Sequence, residues 1–157
     1  MTCAIDIQIS ETPFDPEAAQ AGFRKTLSKS GAVAAFTGVV RGHAGNDQVE
    51  TLELSHYPGF TEKQISAICK TAAERWPLEA LLVIHRVGVM SPSEPIVLVA
   101  AASAHRRAAF EAADYLMDYL KSDAAFWKKE TRAGEAHWIE PRAEDYADKA
   151  RWAQSDA

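Results

Sequence analysis

Cations gather at the two ends of one segment, "SAHRRAAFEAADYLMDYLKSDAAFWKKE". His105, Arg106 and Arg107 stand at its start, and Lys121, Lys128 and Lys129 towards its end. Between them "AAFEAADYLMDYL" has a helical pattern and neither Pro nor Gly. Ser103 is placed to cap that helix, with the His-Arg-Arg run in its first turn. The helix dipole disfavours cations there by about 0.3–1 kcal/mol each, so stability alone would select Asp or Glu. Backbone N–H groups joined by Arg side chains make a good anion site instead. Lys121 closes the helix, where the dipole favours a cation without any further role. Phe126 and Trp127 can anchor a cationic loop that sets Lys128 and Lys129 over a pocket. An aromatic plug with solvated lysines is the plainer reading of the same residues.

Other cations add to this chemistry. Arg41 follows the apolar run "GAVAAFTGVV" and precedes Gly42, so it stands where a strand meets a Gly-rich loop. Arg142 follows "HWIEP". His56 and His85 fall inside strand patterns and read as hydrogen-bonded structural histidines. Together the residues converge on an anionic small-molecule site. The chain has no P-loop, no dinucleotide glycine fingerprint and no evident catalytic Ser-His-Asp order. Its acids form no obvious metal cluster, and Cys3 and Cys69 match neither a CxxC pair nor zinc spacing. Cys69 reads as a small buried apolar residue.

Bulk properties bound the partners. The 157 residues suffice for one domain with a proper core. Net charge is −5, which argues against a nucleic-acid binder. No basic region is followed by a long apolar run, and no stretch is apolar for long enough to span a membrane. The expectation is a cytoplasmic protein, one domain over 1–157, with a frayed tail from about residue 152.

The elements that must position the cations can be read from pattern. "AIDIQI" alternates as a half-buried strand. Asp15 and Pro16 open a helix that Gly31 is expected to stop. "GAVAAFTGVV" is a buried strand ending at Arg41. In "VETLELSHY", Val49, Leu52 or Leu54 and Tyr57 are expected to pack on a sheet. Thr61 and Gln64 match a capping box for a helix whose apolar face is Ile65, Ile68, Cys69 and Ala72. "ALLVIHRVGVM" and "PIVLVAAAS" read as two strands joined by the turn "SPSEP". "KKETRAGEAHWIEP" reads as a turn leading to a short strand, and "AEDYADKARW" as the last helix. Strands and helices interspersed with hairpin-length turns favour an α+β fold over a pure parallel sheet.

In fixed order, "GAVAAFTGVVRGH", "LELSHYPGFTEKQI", "RWPLEALLVIHRVGVM", the cationic segment and "HWIEPR" resemble the catalytic large subunits of molybdopterin synthase. The resemblance spans roughly residues 30 to 153. It implies an α+β fold of the α/β hammerhead type, with a mixed, largely antiparallel sheet and packed helices. It also implies a homodimer, which becomes a heterotetramer with two small ubiquitin-like subunits. Each small subunit carries a thiocarboxylate on its C-terminal Gly-Gly. This sulfurtransferase moves two sulfurs from that tail to cyclic pyranopterin monophosphate. The product is the dithiolene of molybdopterin, a step of molybdenum cofactor biosynthesis.

The implied site residues can be placed one by one. Val39, Val40 and Arg41 end the first core strand. His105 and Arg106 open the long helix, and Lys121 closes it. Lys128, Lys129 and Glu130 line a substrate loop, and Arg142 follows the short strand. Lys121 and Lys128 are the implied catalytic pair. The resemblance implies no resident metal or cofactor, and the sulfur arrives on the partner, so neither cysteine is needed. One departure is visible: the family usually has a Gly followed by an acid where this chain has Ser93 and Pro95, which bears on pairing near Ile96. A straight helix from His105 to Lys121 spans about 24 Å at roughly 1.5 Å per residue, too far for both to touch one pterin. A two-fold dimer resolves this if each protomer gives its helix start to one pocket and its helix end to the other. Two other functions use the same residues: a non-catalytic adaptor for a ubiquitin-like partner, and a phosphate-ester enzyme with a cationic pocket.

Overall fold

Two nearly continuous apolar runs, Leu78–Arg86 and Pro95–Ser103, become the central strands because elements cover both of their faces. The computed structural model describes residues 2–154. In chain order the elements are β1 (Ala4–Ser10), α1 (Pro16–Lys25), β2 (Ala32–Val39), β3 (His43–Ala44), β4 (Asp47–His56) and α2 (Phe60–Arg75). Then come β5 (Leu78–Arg86), β6 (Gly88–Met90), β7 (Pro95–Ser103), α3 (Arg106–Ser122), β8 (Phe126–Arg132), β9 (Glu135–Ile139) and α4 (Ala143–Gln154). A four-stranded sheet runs β1-β5-β7-β2. Only its β1–β5 pair is parallel. A second sheet runs β3-β4-β8-β9, with β6 also on β4, and is antiparallel throughout. The expected mixed, largely antiparallel α+β architecture is the one observed. No helix among the described residues is long and apolar enough to cross a membrane.

Alternation along β5 and β7 builds two cores. Leu81, Val83, Val99 and Ala101 meet Ile65, Ile68, Cys69 and Ala72 of α2 and Ala109, Ala112 and Leu116 of α3. On the other face Leu82, Ile84, Leu98 and Ala100 meet Phe23 of α1. Helix α1 opens as expected: Asp15 accepts from the N–H groups of Glu17 and Ala18 at 3.0 and 3.1 Å. It ends before Gly31, because the Thr26 hydroxyl donates to the Phe23 carbonyl at 2.7 Å and closes the last turn. Gly31 serves a different need. A Cβ there would lie 2.7 Å from the Ala104 carbonyl oxygen, just before α3.

The capping pair expected for α2 is used otherwise. Glu62 accepts from the Gly59 N–H at 2.9 Å, which makes Gly59 the cap. Thr61 and Gln64 instead grip the backbone of Ala125: Thr61 donates to its carbonyl at 2.9 Å, and Gln64 accepts from its N–H at 2.7 Å. They thereby fix the connection between α3 and β8.

Three strand expectations need correction. "KKETR" is strand, not turn, because β8 is paired on both sides, Lys128 lying opposite Leu54 of β4 and Ile139 of β9. "ALLVIHRVGVM" divides at Gly88, whose φ of 92° turns the chain out of one sheet and into the other. In β4, Val49, Leu52 and Leu54 are all buried, a spacing permitted by the register shift between Val49 and Thr51, while Tyr57 beyond the strand is 61% exposed. The Ser93–Pro95 turn is clamped to β2: Ser93 donates to the Val40 carbonyl at 2.8 Å and Val40 donates to the Glu94 carbonyl at 3.0 Å. Ser93 holds a φ of 71°, the region that favours glycine, and Ile96 is left as an extra residue where the β2–β7 register shifts.

Helix α4 continues through Gln154, which takes in the first three residues of the expected tail; residues 155–157 lie outside the described part. Trp152 is buried, edge-on to Trp76 and Tyr115 at ring separations of 5.5 Å each, and its indole N–H donates to Asp118. Replacing Trp152 by Ala is expected to cost about 3–5 kcal/mol in urea unfolding. A loss under 1 kcal/mol would mean that α4 is not held by this ring.

Candidate active site

A cavity of about 960 Å³ opens where the two sheets meet the ends of α3 and α4. Val39 enters it from the end of β2, Val40 and Arg41 from just past that strand, and Lys121 from the last turn of α3. Lys128 and Glu130 come from one face of β8, and Arg142 from the turn before α4. Each is set by a rigid neighbour. The Val40 clamp to Ser93 and Glu94 aims Arg41. Packing of Leu116 and Leu120 fixes the end of α3. The β8 register, with Thr61 and Gln64 holding Ala125, aims Lys128.

Electrostatics distinguish the two lysines. Lys121 is exposed at the cavity wall, whereas Lys128 is largely buried. Burial, then the charge of Lys121 and a hydrogen bond with it, push the Lys128 ammonium down to about 8. Asp145 pulls weakly in the other direction. His85 lies on the cavity floor, stacked on Phe126 with ring centroids 3.9 Å apart. Burial pushes it down to about 4, against the opposing effect of the Arg86 carbonyl. That carbonyl lies 2.9 Å from Nδ1 and can only accept, so Nδ1 carries the proton. His85 is thus the hydrogen-bonded histidine expected, though it also faces the cavity. Glu130 is buried with its Oε1 3.2 Å from Arg132 Nε, a close ion pair without good hydrogen-bond geometry.

Three sequence-derived candidates lie elsewhere in the chain. Lys129 is on the opposite face of β8, paired with Glu53 at 3.5 Å and 5.5 Å over the Trp138 ring. His105 and Arg106 are exposed at the far end of α3, which runs unbroken to Ser122. His105 itself occupies the cap position, extended and without a side-chain cap bond. Ser103 does not cap the helix because its hydroxyl donates to the Pro77 carbonyl at 2.7 Å. The cavity also contains a residue not singled out from sequence, Asp145. It accepts from the Arg142 N–H at 2.8 Å and from its guanidinium at 3.3 Å. Burial raises its pKa, but these Arg142 contacts more than offset that, and it lies below the usual range. An acid in the first turn of the last predicted helix, just after Arg142, was the available signal.

Arg41, Lys121, Lys128 and Arg142 thus share one cavity on an α+β frame of two sheets, with Lys128 largely buried among them. Residues 9–123 match the family described as MoaE protein. A molybdopterin synthase catalytic subunit from Caulobacter vibrioides is 47% identical over 94% of this chain and 97% of its own. The structure of molybdopterin cofactor biosynthesis protein E from Burkholderia multivorans superposes with a TM-score of 0.80 at 42% identity, over 96% of this chain and 97% of that one. A crystal structure of molybdopterin synthase from Staphylococcus aureus gives 0.75 at 31% identity, over 85% and 95%. The chain belongs to the MoaE protein family.

Holding Lys128 in this site has a measurable consequence. Its folded pKa of about 8 lies below the ordinary 10.5, so the fold is disfavoured at all pH below about 8. The penalty is relieved as pH rises from about 8 to 10.5. Lys128→Met is therefore expected to raise unfolding stability at pH 7 by roughly 1–3 kcal/mol, with the gain fading above pH 10. An unchanged or lower stability at pH 7 would show that Lys128 is not strained by burial.

Proposed function

We propose that this chain is the catalytic subunit of a molybdopterin synthase, with Lys121 and Lys128 as its reacting pair. The observation that carries this is the Lys128 ammonium, buried beside Lys121 in the cavity that Arg41 and Arg142 also face. The incoming reactants are both anions: a thiocarboxylate tail and a cyclic phosphate on the pterin. Cations offset their repulsion, and in a partly dry cavity each contact is stronger than in water. A volume of about 960 Å³ has room for a pterin and an extended Gly-Gly tail together. Exposed Trp127, Trp138 and Tyr146 at the cavity wall offer aromatic anchors to the small ubiquitin-like subunit.

In this reading the tail sulfur attacks a side-chain carbon of the pterin and displaces the oxygen that carbon carries. Water then hydrolyses the thioester, which leaves the sulfur on the pterin as a thiolate and returns the tail as a carboxylate. The tetrahedral oxyanion on the tail carbonyl is stabilised by the two ammonium groups. Lys128, mostly charged at neutral pH, also supplies a proton. Arg41 and Arg142 hold the phosphate. His105 and Arg106 come from the other protomer of a homodimer, about 24 Å along α3 from their own Lys121. The assembly with two small subunits is then a heterotetramer. Free Cys3 and Cys69 suit a reducing cytoplasm.

The direct test mixes the chain with thiocarboxylated small subunit and cyclic pyranopterin monophosphate. Dithiolene product is expected. Binding without product would indicate an adaptor, and phosphate release without sulfur transfer a phosphate-ester enzyme. Turnover should fall as pH rises through about 8, because Lys128 then loses its proton. A rate that keeps climbing past pH 9 would contradict that role.

Complementation tests the shared site. Arg106→Ala and Lys121→Ala, each inactive alone, are combined under subunit exchange. Half the dimers are then mixed, each with one intact pocket, so about a quarter of wild-type activity should return. No recovery despite proven exchange would place both helix ends in one chain's function.

A further inference from the structure

Charged and titratable groups face Lys128 from every wall of the cavity. Arg41 follows β2, His85 is on β5 and Lys121 on α3. Glu130 shares β8 with Lys128, Glu140 and Arg142 lie between β9 and α4, and Asp145 and Tyr146 open α4. Among the carboxylates, Glu130 is committed to Arg132 at 3.2 Å, and Glu140 is exposed. Asp145 is buried and holds Arg142 through both the backbone and the guanidinium.

We propose that Asp145 is a positioning residue for sulfur transfer, the counter-charge that holds Arg142 and the lysine pair together before the anionic reactants arrive. The inference rests on the sulfur-transfer reading above. Capping α4 needs only an acceptor for the Arg142 N–H, and an exposed Asp would do this as well. Here the carboxylate is 9% exposed and turned into the cavity, and its second oxygen meets the guanidinium at 3.3 Å. Its negative charge favours the charged form of Lys128, and the charge of Lys121 in turn stabilises the Asp145 carboxylate.

Asp145→Asn separates the two roles, because the amide oxygen keeps the cap bond while the charge is lost. Lys128 is titrated in the chain alone by competitive acetylation across pH, read by peptide mass. Its midpoint should fall below the wild-type value of about 8. The alkaline limb of kcat should move with it, with turnover lower at pH 8 and almost none lost at pH 6. Asp145→Glu should restore most of the Lys128 midpoint. An Asn variant whose Lys128 midpoint matches wild type overturns the proposal, whatever its stability or activity. A wild-type chain that makes no dithiolene overturns the sulfur-transfer reading instead, and leaves the Lys128 midpoint as a separate result.

Discussion

Two like charges must be kept close in a partly dry space, and most of this architecture answers to that constraint. An ammonium moved out of water beside another ammonium is disfavoured twice, by desolvation and by repulsion. Flexible loops would relax by swinging the lysines apart. Here Lys121 rides the last turn of a helix packed on the central sheet, and Lys128 a strand paired on both sides. Between them only the short stretch around Ala125 could give way, and Thr61 and Gln64 of α2 pin it from both sides. The strain is thus borne by rigid elements, and it appears as the lowered proton affinity of Lys128.

The two-sheet arrangement supplies the rest of the wall. The chain passes from β5 in one sheet to β6 in the other through Gly88, so the seam between sheets lies beside the cavity. Val40, buried at this seam with Leu52, Leu54 and Met90, is tied to the Ser93–Glu94 turn. Arg41 follows at once and cannot wander far. The turn that departs from the family's Gly-acid pattern therefore still performs its task, at the expense of Ser93 in a left-handed conformation and a bulge at Ile96.

Much of this was legible in the sequence, where local physics and tertiary packing agree. The Asp15 cap, the apolar face of α2, the buried runs of β5 and β7 and the unbroken α3 were all read correctly. The failures share a cause: a residue's partner lay far away in sequence. "KKETR" has the charge of a loop, yet its ladder bonds to β4 and β9 make it strand. Thr61 and Gln64 have capping-box spacing, but their partner is Ala125, about sixty residues on. Of the site, Arg41, Lys121, Lys128, Glu130, Arg142, Val39 and Val40 share one cavity, while strand alternation turns Lys129 away. Asp145 escaped notice because a helix-opening acid needs no other explanation until its burial is known.

The most direct measurement is a side-chain NMR titration of the Lys128 ammonium, in the wild-type chain and in Lys121→Gln. A midpoint near 8 in the wild type, rising when the Lys121 charge is removed, is the predicted result. A midpoint near the ordinary 10.5 in both proteins would contradict a desolvated, mutually repelling pair as the centre of this site.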